Sequence, residues 1–270
     1  MQRIFLLAIA GLMLLNFQSC DNAKSVLDKA GESLDNVNLF TYKDDIELGN
    51  QVKTEIGNDP KTYPILAESA NKEIYNYMRS LMNIVLTSDK IKHKNEFQWT
   101  MNIIREDNTI NAFAAPGGQI YIYTGLIKFL ESEDQMLSVI AHEMAHADLR
   151  HGTRQLSKNM GISLLLNAVL GEKESIQQIV GSLVNLRFSR SHEFEADEHA
   201  VLYLCSSEYN PTGAIAFFEK MKGQPSPPDF LSTHPNPESR IQNINNVKSS
   251  LSCSGTKTNI AKYAQMKKLI

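Results

Sequence analysis

The chain has 270 residues, a net charge of −3 and 42% hydrophobic residues. That length allows one medium domain plus a targeting segment, and the hydrophobic fraction is ordinary for a globular protein. Nothing in the charge points to nucleic acid, since no basic stripe with interleaved aromatics occurs, and there is no internal repeat.

The first residues, MQRIFLLAIAGLMLLNFQSC, place Arg3 ahead of an apolar run from Ile4 to Leu15. Such a run is too short for a comfortable bilayer span and suits the core of a signal peptide. It ends at Ser19-Cys20 and resembles a bacterial lipoprotein signal, with Phe17 where leucine is usual and a larger residue than usual at Gln18. The expectation is a signal peptide over 1–19, lipid on Cys20 as the only attachment to the membrane, and a location on the periplasmic side of a bacterial cell envelope. A polar tether over 20–44 leads into a domain over 45–250, followed by a C-terminal tail over 251–270. With Cys20 lipidated, Cys205 and Cys253 either pair in an oxidising compartment or remain two thiols, and the sequence does not choose.

Along the mature chain, Asp44–Gly57 and Ile65–Leu86 show helical spacing of apolar residues. Phe97–Ile104 is rich in strand formers. NAFAAPGGQIYIYTGLIKFL reads as a strand, a turn at Pro116–Gly118, a second strand over Gln119–Tyr123, and a helix from Thr124. A helix from Glu133 to about Arg150 follows, with Gly152 as its stop. The apolar stretch 160–171 reads as one buried helix. Further helices are expected over Glu174–Leu186, Ser191–Cys205, Pro211–Lys222 and Pro237–Val247, with a Pro-rich loop between the last two. The fold class is α+β: mostly helical, with a small β-sheet.

The chemistry concentrates in SVIAHEMAHADLRHG, from Ser138 to Gly152. His142 and His146 stand four apart and share one helix face, so both imidazoles can hold one zinc ion, and Glu143 can reach a water beside it. A helix with two surface histidines is the bland alternative, but these sit on a largely apolar helix where unpaired polar groups are costly. Catalytic zinc usually takes three protein ligands. The metzincin pattern is excluded, because the positions three and six after His146 are Leu149 and Gly152; His151 is off by one and is not taken as a ligand. The third ligand then falls in RFSRSHEFEADEHA, Arg187 to Ala200. Glu193 and Asp197 share one face and Glu195 and His199 another, and helical geometry leaves Glu193 and Glu195 nearly tied.

Four stretches occur in order: NAFAAPGGQIYIYTGL, HEMAH, RFSRSHEFEAD and STHPNPESRI. Together they resemble the zinc metallopeptidase family of HtpX-like, Oma-like and CAAX-prenyl proteases, peptidase family M48, and within it the small bacterial periplasmic lipoprotein members. The resemblance covers Asp45 to Val247. It implies a zincin-like (gluzincin) domain with the sheet beside the zinc helix, and one zinc ion per chain on His142, His146 and Glu193. Asp197 would support a ligand histidine. It also raises His234, in the STHPNPESRI loop, as an oxyanion donor or a ligand that closes the open position, with Arg240 facing the same cleft. Glu143 would be the general base of peptide hydrolysis. The resemblance further places Gly118, Gln119, Ile120, Tyr121 and Ile122 beside the metal as an edge strand that holds substrate by its backbone. Substrates would be proteins or peptides, misfolded or misassembled cell-envelope proteins among them. The reading from another class is an envelope chaperone or assembly-binding module with a latent or structural zinc site.

Overall fold

The computed structural model describes residues 38–222, 224 and 228–270. The expected signal peptide and residues 20–37 of the tether, Cys20 among them, lie outside the described residues, and the tether's last residues, from Tyr42, open the first helix. Helix α1 (Tyr42–Asn58) opens with a capping box: Asp44 N donates to Thr41 Oγ1 and Thr41 N donates to the Asp44 carboxylate. It buries Leu48, Val52 and Ile56 on one face. Helix α2 (Lys72–Leu86) buries Ile74, Met78, Leu81 and Val85 at helical spacing.

The helix expected from Ile65 starts at Lys72 instead. Ile65 bridges Ile104, and Leu66 N donates to Ile103 O, so these residues extend the sheet rather than a helix. The sheet has three strands, β1 (Thr100–Ile104), β2 (Ala112–Ala115) and β3 (Gln119–Tyr123), in the order β1-β3-β2. β3 runs parallel to β1 and antiparallel to β2. Its alternation splits two apolar clusters: Ile120 and Ile122 face one, Tyr121 and Tyr123 the other. Between β2 and β3 the chain turns at Pro116–Gly118, where Gly117 has φ 72°. A methyl group at Gly49 would stand 2.1 Å from Pro116 O, so α1 packs backbone to backbone against this turn.

Short α3 (Thr124–Phe129) leads to α4 (Glu133–Asp148), every residue of which is buried. The helix ends two residues earlier than expected, and Gly152 is not its stop. Arg150 takes the left-handed conformation at φ 61°, and α5 (His151–Asn159) starts at once, with Gly152 inside it. The Arg150 guanidinium holds this break by bonding Phe40 O at 2.6 Å and the Asp45 carboxylate.

The stretch read as a buried helix is only partly buried: α6 (Ile162–Val169) covers Leu165 and Ala168 but leaves Leu166 exposed. After it come α7 (Lys173–Val184), α8 (Arg190–Leu204) and α9 (Gly213–Lys222). The loop expected before the next helix contains α10 (Asp229–Thr233), and α11 (Pro237–Ser250) and α12 (Ile260–Met266) complete the described elements. Helix α4 packs chiefly on α8, with α2, α9 and β2 on its other sides.

The last twenty residues are not a free tail. Cys253 is disulfide-bonded to Cys205, Glu133 N donates to Thr258 O, and Tyr263 is fully buried with its hydroxyl donating to Ile127 O at 2.9 Å. Among the described residues no helix is long and apolar enough to cross a membrane.

Candidate active site

Helix α4 presents His142 and His146 toward α8, whose Ser189 N-cap accepts from His192 N and fixes its first turn. The two helices lie side by side, so the first turns of α8 bring Glu193 and Asp197 against the two histidines. His142 Nε2 and His146 Nε2 lie 2.9 Å apart. Glu193 places one carboxylate oxygen 3.5 Å from His142 Nε2 and the other 3.6 Å from His146 Nε2. His234, just after α10, enters the same cluster: its Nδ1 is 3.0 Å from Glu193 Oε1 and 3.3 Å from His142 Nε2. The four side chains offer ligand atoms within 4.8 Å of one another. Glu195 points elsewhere, to His151, so the tie that helical geometry left is broken by which face of α8 meets α4.

Around this cluster stands a charged support. His142 Nδ1 lies 3.1 Å from Asp197 Oδ1. Arg240, on the first turn of α11, donates to both Asp197 oxygens, at 2.6 and 2.8 Å, and its Nη1 is 2.7 Å from Glu193 Oε2. The guanidinium also lies 4.5 Å over the Phe218 ring. Burial and Arg240 push the His142 imidazole down, but Asp197 and Glu193 override them and hold it at about 9. Burial and the charge on His142 hold His146 well below the usual histidine value. Glu193 and Asp197 stay below the usual carboxylate range in spite of burial, chiefly because Arg240 faces them.

Neither carboxylate oxygen of Glu143 has a hydrogen-bond partner among the described residues, although the residue is fully buried. The nearest ionisable nitrogen is His234 Nε2, at 3.5 Å. A buried carboxylate without partners is costly unless a cation or a water completes its surroundings. Two imidazoles, a carboxylate ligand and this glutamate without a hydrogen bond suit a divalent metal.

The cluster is closed. His142, His146, Glu193 and His234 are each at most 3% exposed. A cavity of about 10 Å³ touches His142, Asp197 and Arg240, room for one water and no peptide. The cover consists of Phe188, stacked on His146 at 3.9 Å, and Phe230, stacked on His234 at 4.4 Å. Phe188 N donates to Thr233 O, joining the two covering segments. Sequence reasoning passed over both aromatics. The signal that could have found them is a phenylalanine one helical turn or so ahead of each functional residue, Phe188 before Glu193 and Phe230 before His234.

The substrate strand needs correcting. Gly118, Gln119, Ile120, Tyr121 and Ile122 are all buried, and β3 is hydrogen-bonded on both sides. An interior strand has no free backbone groups to offer a substrate. The edge on this side of the sheet is β2, which packs on α4.

A mostly helical domain with a three-stranded sheet beside a helix carrying His-Glu-x-x-His, and a glutamate from a second helix at the same point, defines a zincin-like metallopeptidase domain. Residues 70–248 match the model of peptidase family M48, and the chain belongs to that family. It is 33% identical over 153 residues to the mitochondrial metalloendopeptidase OMA1 of Arabidopsis thaliana, covering 55% of this chain and 31% of that one. The protein of the same name from Schizosaccharomyces pombe is 31% identical over 157 residues, covering 55% of this chain and 46% of the relative. The beta-barrel assembly-enhancing protease of Escherichia coli is 29% identical over 189 residues, covering 63% and 38%. The chain therefore spans between 31% and 46% of the length of these relatives.

Proposed function

We propose that the chain is a zinc-dependent endopeptidase, with His142, His146 and Glu193 as ligands and Glu143 as the general base. The observation that carries this reading is the convergence of three ligand side chains with a buried carboxylate that has no hydrogen-bond partner, one residue after the first histidine. Zinc suits two neutral imidazoles and one carboxylate, and when bound it supplies Lewis acidity that polarises a peptide carbonyl and acidifies water. Glu143 takes the proton of the attacking water and returns it to the leaving amine. Asp197 keeps the His142 ring oriented through Nδ1, and Arg240 keeps Asp197 ionised.

His234 has two candidate roles, and the structure favours one. Its Nδ1 lies among the ligand atoms and the whole cluster is buried. This supports a latent state in which His234 would be a further ligand and would have to leave before substrate enters, rather than an oxyanion donor already in place. The backbone of substrate would then pair with the outer edge of β2. The reading of the protein as a binding module with a closed site shares this burial, and differs in what Glu143 is for.

The test is casein hydrolysis with zinc content measured on each protein. Glu143→Gln should keep its zinc and lose at least about a hundredfold in rate. His234→Ala should keep zinc and gain activity if the residue is a latch; a fall would return it to the oxyanion role. Absence of hydrolysis in the wild type and in His234→Ala alike would favour the binding module.

The lipoprotein-like signal and the name of the Escherichia coli relative support envelope proteins as substrates, misfolded or misassembled ones among them, with the domain held at the periplasmic face by lipid on Cys20. Cys20→Ser should leave the membrane fraction or stay unprocessed; a variant still cut and still membrane-bound would reject the anchor.

A further inference from the structure

We propose that His151 and Glu195 form a support for His146, positioning its ring for the metal through a directed pair of hydrogen bonds. The inference rests on the zinc reading above and extends it to two residues outside the ligand set.

Sequence spacing gives no hint of such a role. His151 stands five residues after His146, and on one continuous helix those positions point well apart. The left-handed Arg150 breaks the helix between them and lets α5 turn His151 back toward the site. As a result His151 Nδ1 lies 2.9 Å from His146 Nδ1, and His151 Nε2 lies 3.1 Å from Glu195 Oε2. His151 is fully buried, and its ring stacks on His192 at 4.4 Å with 15° between the planes. Arg154 approaches the same Glu195 oxygen at 4.0 Å.

The proton positions follow from one fact. A histidine that binds metal through Nε2 keeps its hydrogen on Nδ1. His146 Nε2 faces the ligand cluster, so its Nδ1–H points at His151 Nδ1. Two ring nitrogens 2.9 Å apart cannot both carry a hydrogen, so His151 Nδ1 accepts. His151 is then the Nε2–H tautomer, and that group donates to the Glu195 carboxylate. The arrangement parallels the one behind His142, where Asp197 accepts directly and Arg240 anchors it. At His146 an imidazole stands between the ligand and its carboxylate. It spans the distance from the buried metal site to a glutamate whose side chain is 39% exposed.

Such supports matter because they fix ring orientation and raise ligand basicity, and removing one typically costs 10–100-fold in metal affinity. The competing view makes His151 a core histidine that only fills space. The test uses the full chain and two probes, zinc affinity by chelator competition and the visible spectrum of the cobalt(II)-substituted protein. His151→Phe keeps volume and stacking but removes both hydrogen bonds. It should bind zinc about 10–100-fold more weakly and shift the cobalt bands. His151→Gln can accept with its carbonyl oxygen and donate with its amide, and should stay close to wild type. Glu195→Ala, a substitution at a half-exposed position, should weaken zinc binding by a smaller factor in the same direction. Wild-type affinity and an unchanged cobalt spectrum in both His151→Phe and Glu195→Ala would overturn the proposal. If His151→Phe does not fold, the Glu195→Ala result decides alone. A wild-type chain that takes up neither zinc nor cobalt would reject the metal reading itself, an outcome visible before any variant is made.

Discussion

Replacing Arg240 by methionine should couple stability to metal binding, because the guanidinium and a bound cation compensate the same buried Glu193 carboxylate. Methionine keeps an unbranched apolar side chain in the buried site, but the guanidinium that lies over Phe218 and faces Glu193 at 2.7 Å and Asp197 at 2.6 Å is gone. Arg240, Glu193 and Asp197 are each at most 2% exposed, so water does not replace it. Removing one partner of a buried ion pair costs about 3–5 kcal/mol, because the other charge stays buried and uncompensated. For a domain of this size each kcal/mol moves the midpoint by about 2–4 °C, so the metal-free variant should melt roughly 6–20 °C below the wild type. A bound divalent cation changes the balance, because it restores positive charge beside Glu193 and leaves only Asp197 exposed to the loss. Zinc should therefore stabilise Arg240→Met more than it stabilises the wild type, by reciprocal coupling between the two cations. Thermal melts of both proteins, stripped with chelator and then reloaded with zinc, measure the four midpoints. An equal loss with and without zinc, or a loss below about 1 kcal/mol, would refute the charge-compensation argument.

Two further predictions test the frame around the site. Glu133 is fully buried in the first turn of α4 and accepts from Tyr77, Tyr209 and Asn259; against the effect of burial, these bonds hold its carboxyl below the usual range. A depressed carboxyl contributes stability that is present above the unfolded value, near pH 4.5, and fades as pH falls through the lowered folded value. Glu133→Gln should thus lose about 2–4 kcal/mol at pH 7 and converge on the wild type in acid; a gap independent of pH would contradict this sign. At the sheet, Tyr123 N donates to Asn111 O, so the antiparallel alternation turns the Ala114 N–H away from β3, while Ile120 lies inside the ladder. Ala114→Pro should fold, load zinc and lose peptide hydrolysis, whereas Ile120→Pro should fail to fold; normal hydrolysis by Ala114→Pro would remove β2 from substrate binding.

The sequence by itself determined what short-range periodicity encodes. His142, Glu143 and His146 needed only the four-residue repeat of one helix, and α2 was legible because it buries one regular face. The turn at Pro116–Gly118 was legible from its residue types, since a positive φ favours glycine, and at Gly117 a Cβ would also stand 2.8 Å from Ile46 Cα. Choices that depend on which surface meets which partner were not legible. Glu193 and Glu195 differ only in the face of α8 they occupy, and the packing of α8 on α4 decides between them. An alternating apolar strand reads the same at an edge or in the interior, so only its neighbours could show that β3 is central. The left-handed turn at Arg150 is set by distant Phe40 and Asp45, so the sequence showed a helix stopping near Arg150 but not the second helix that starts at once at His151. The stretch 251–270 was expected as a tail; the buried Tyr263 and the disulfide at Cys253 hold it against the domain, and both contacts belong to the tertiary structure.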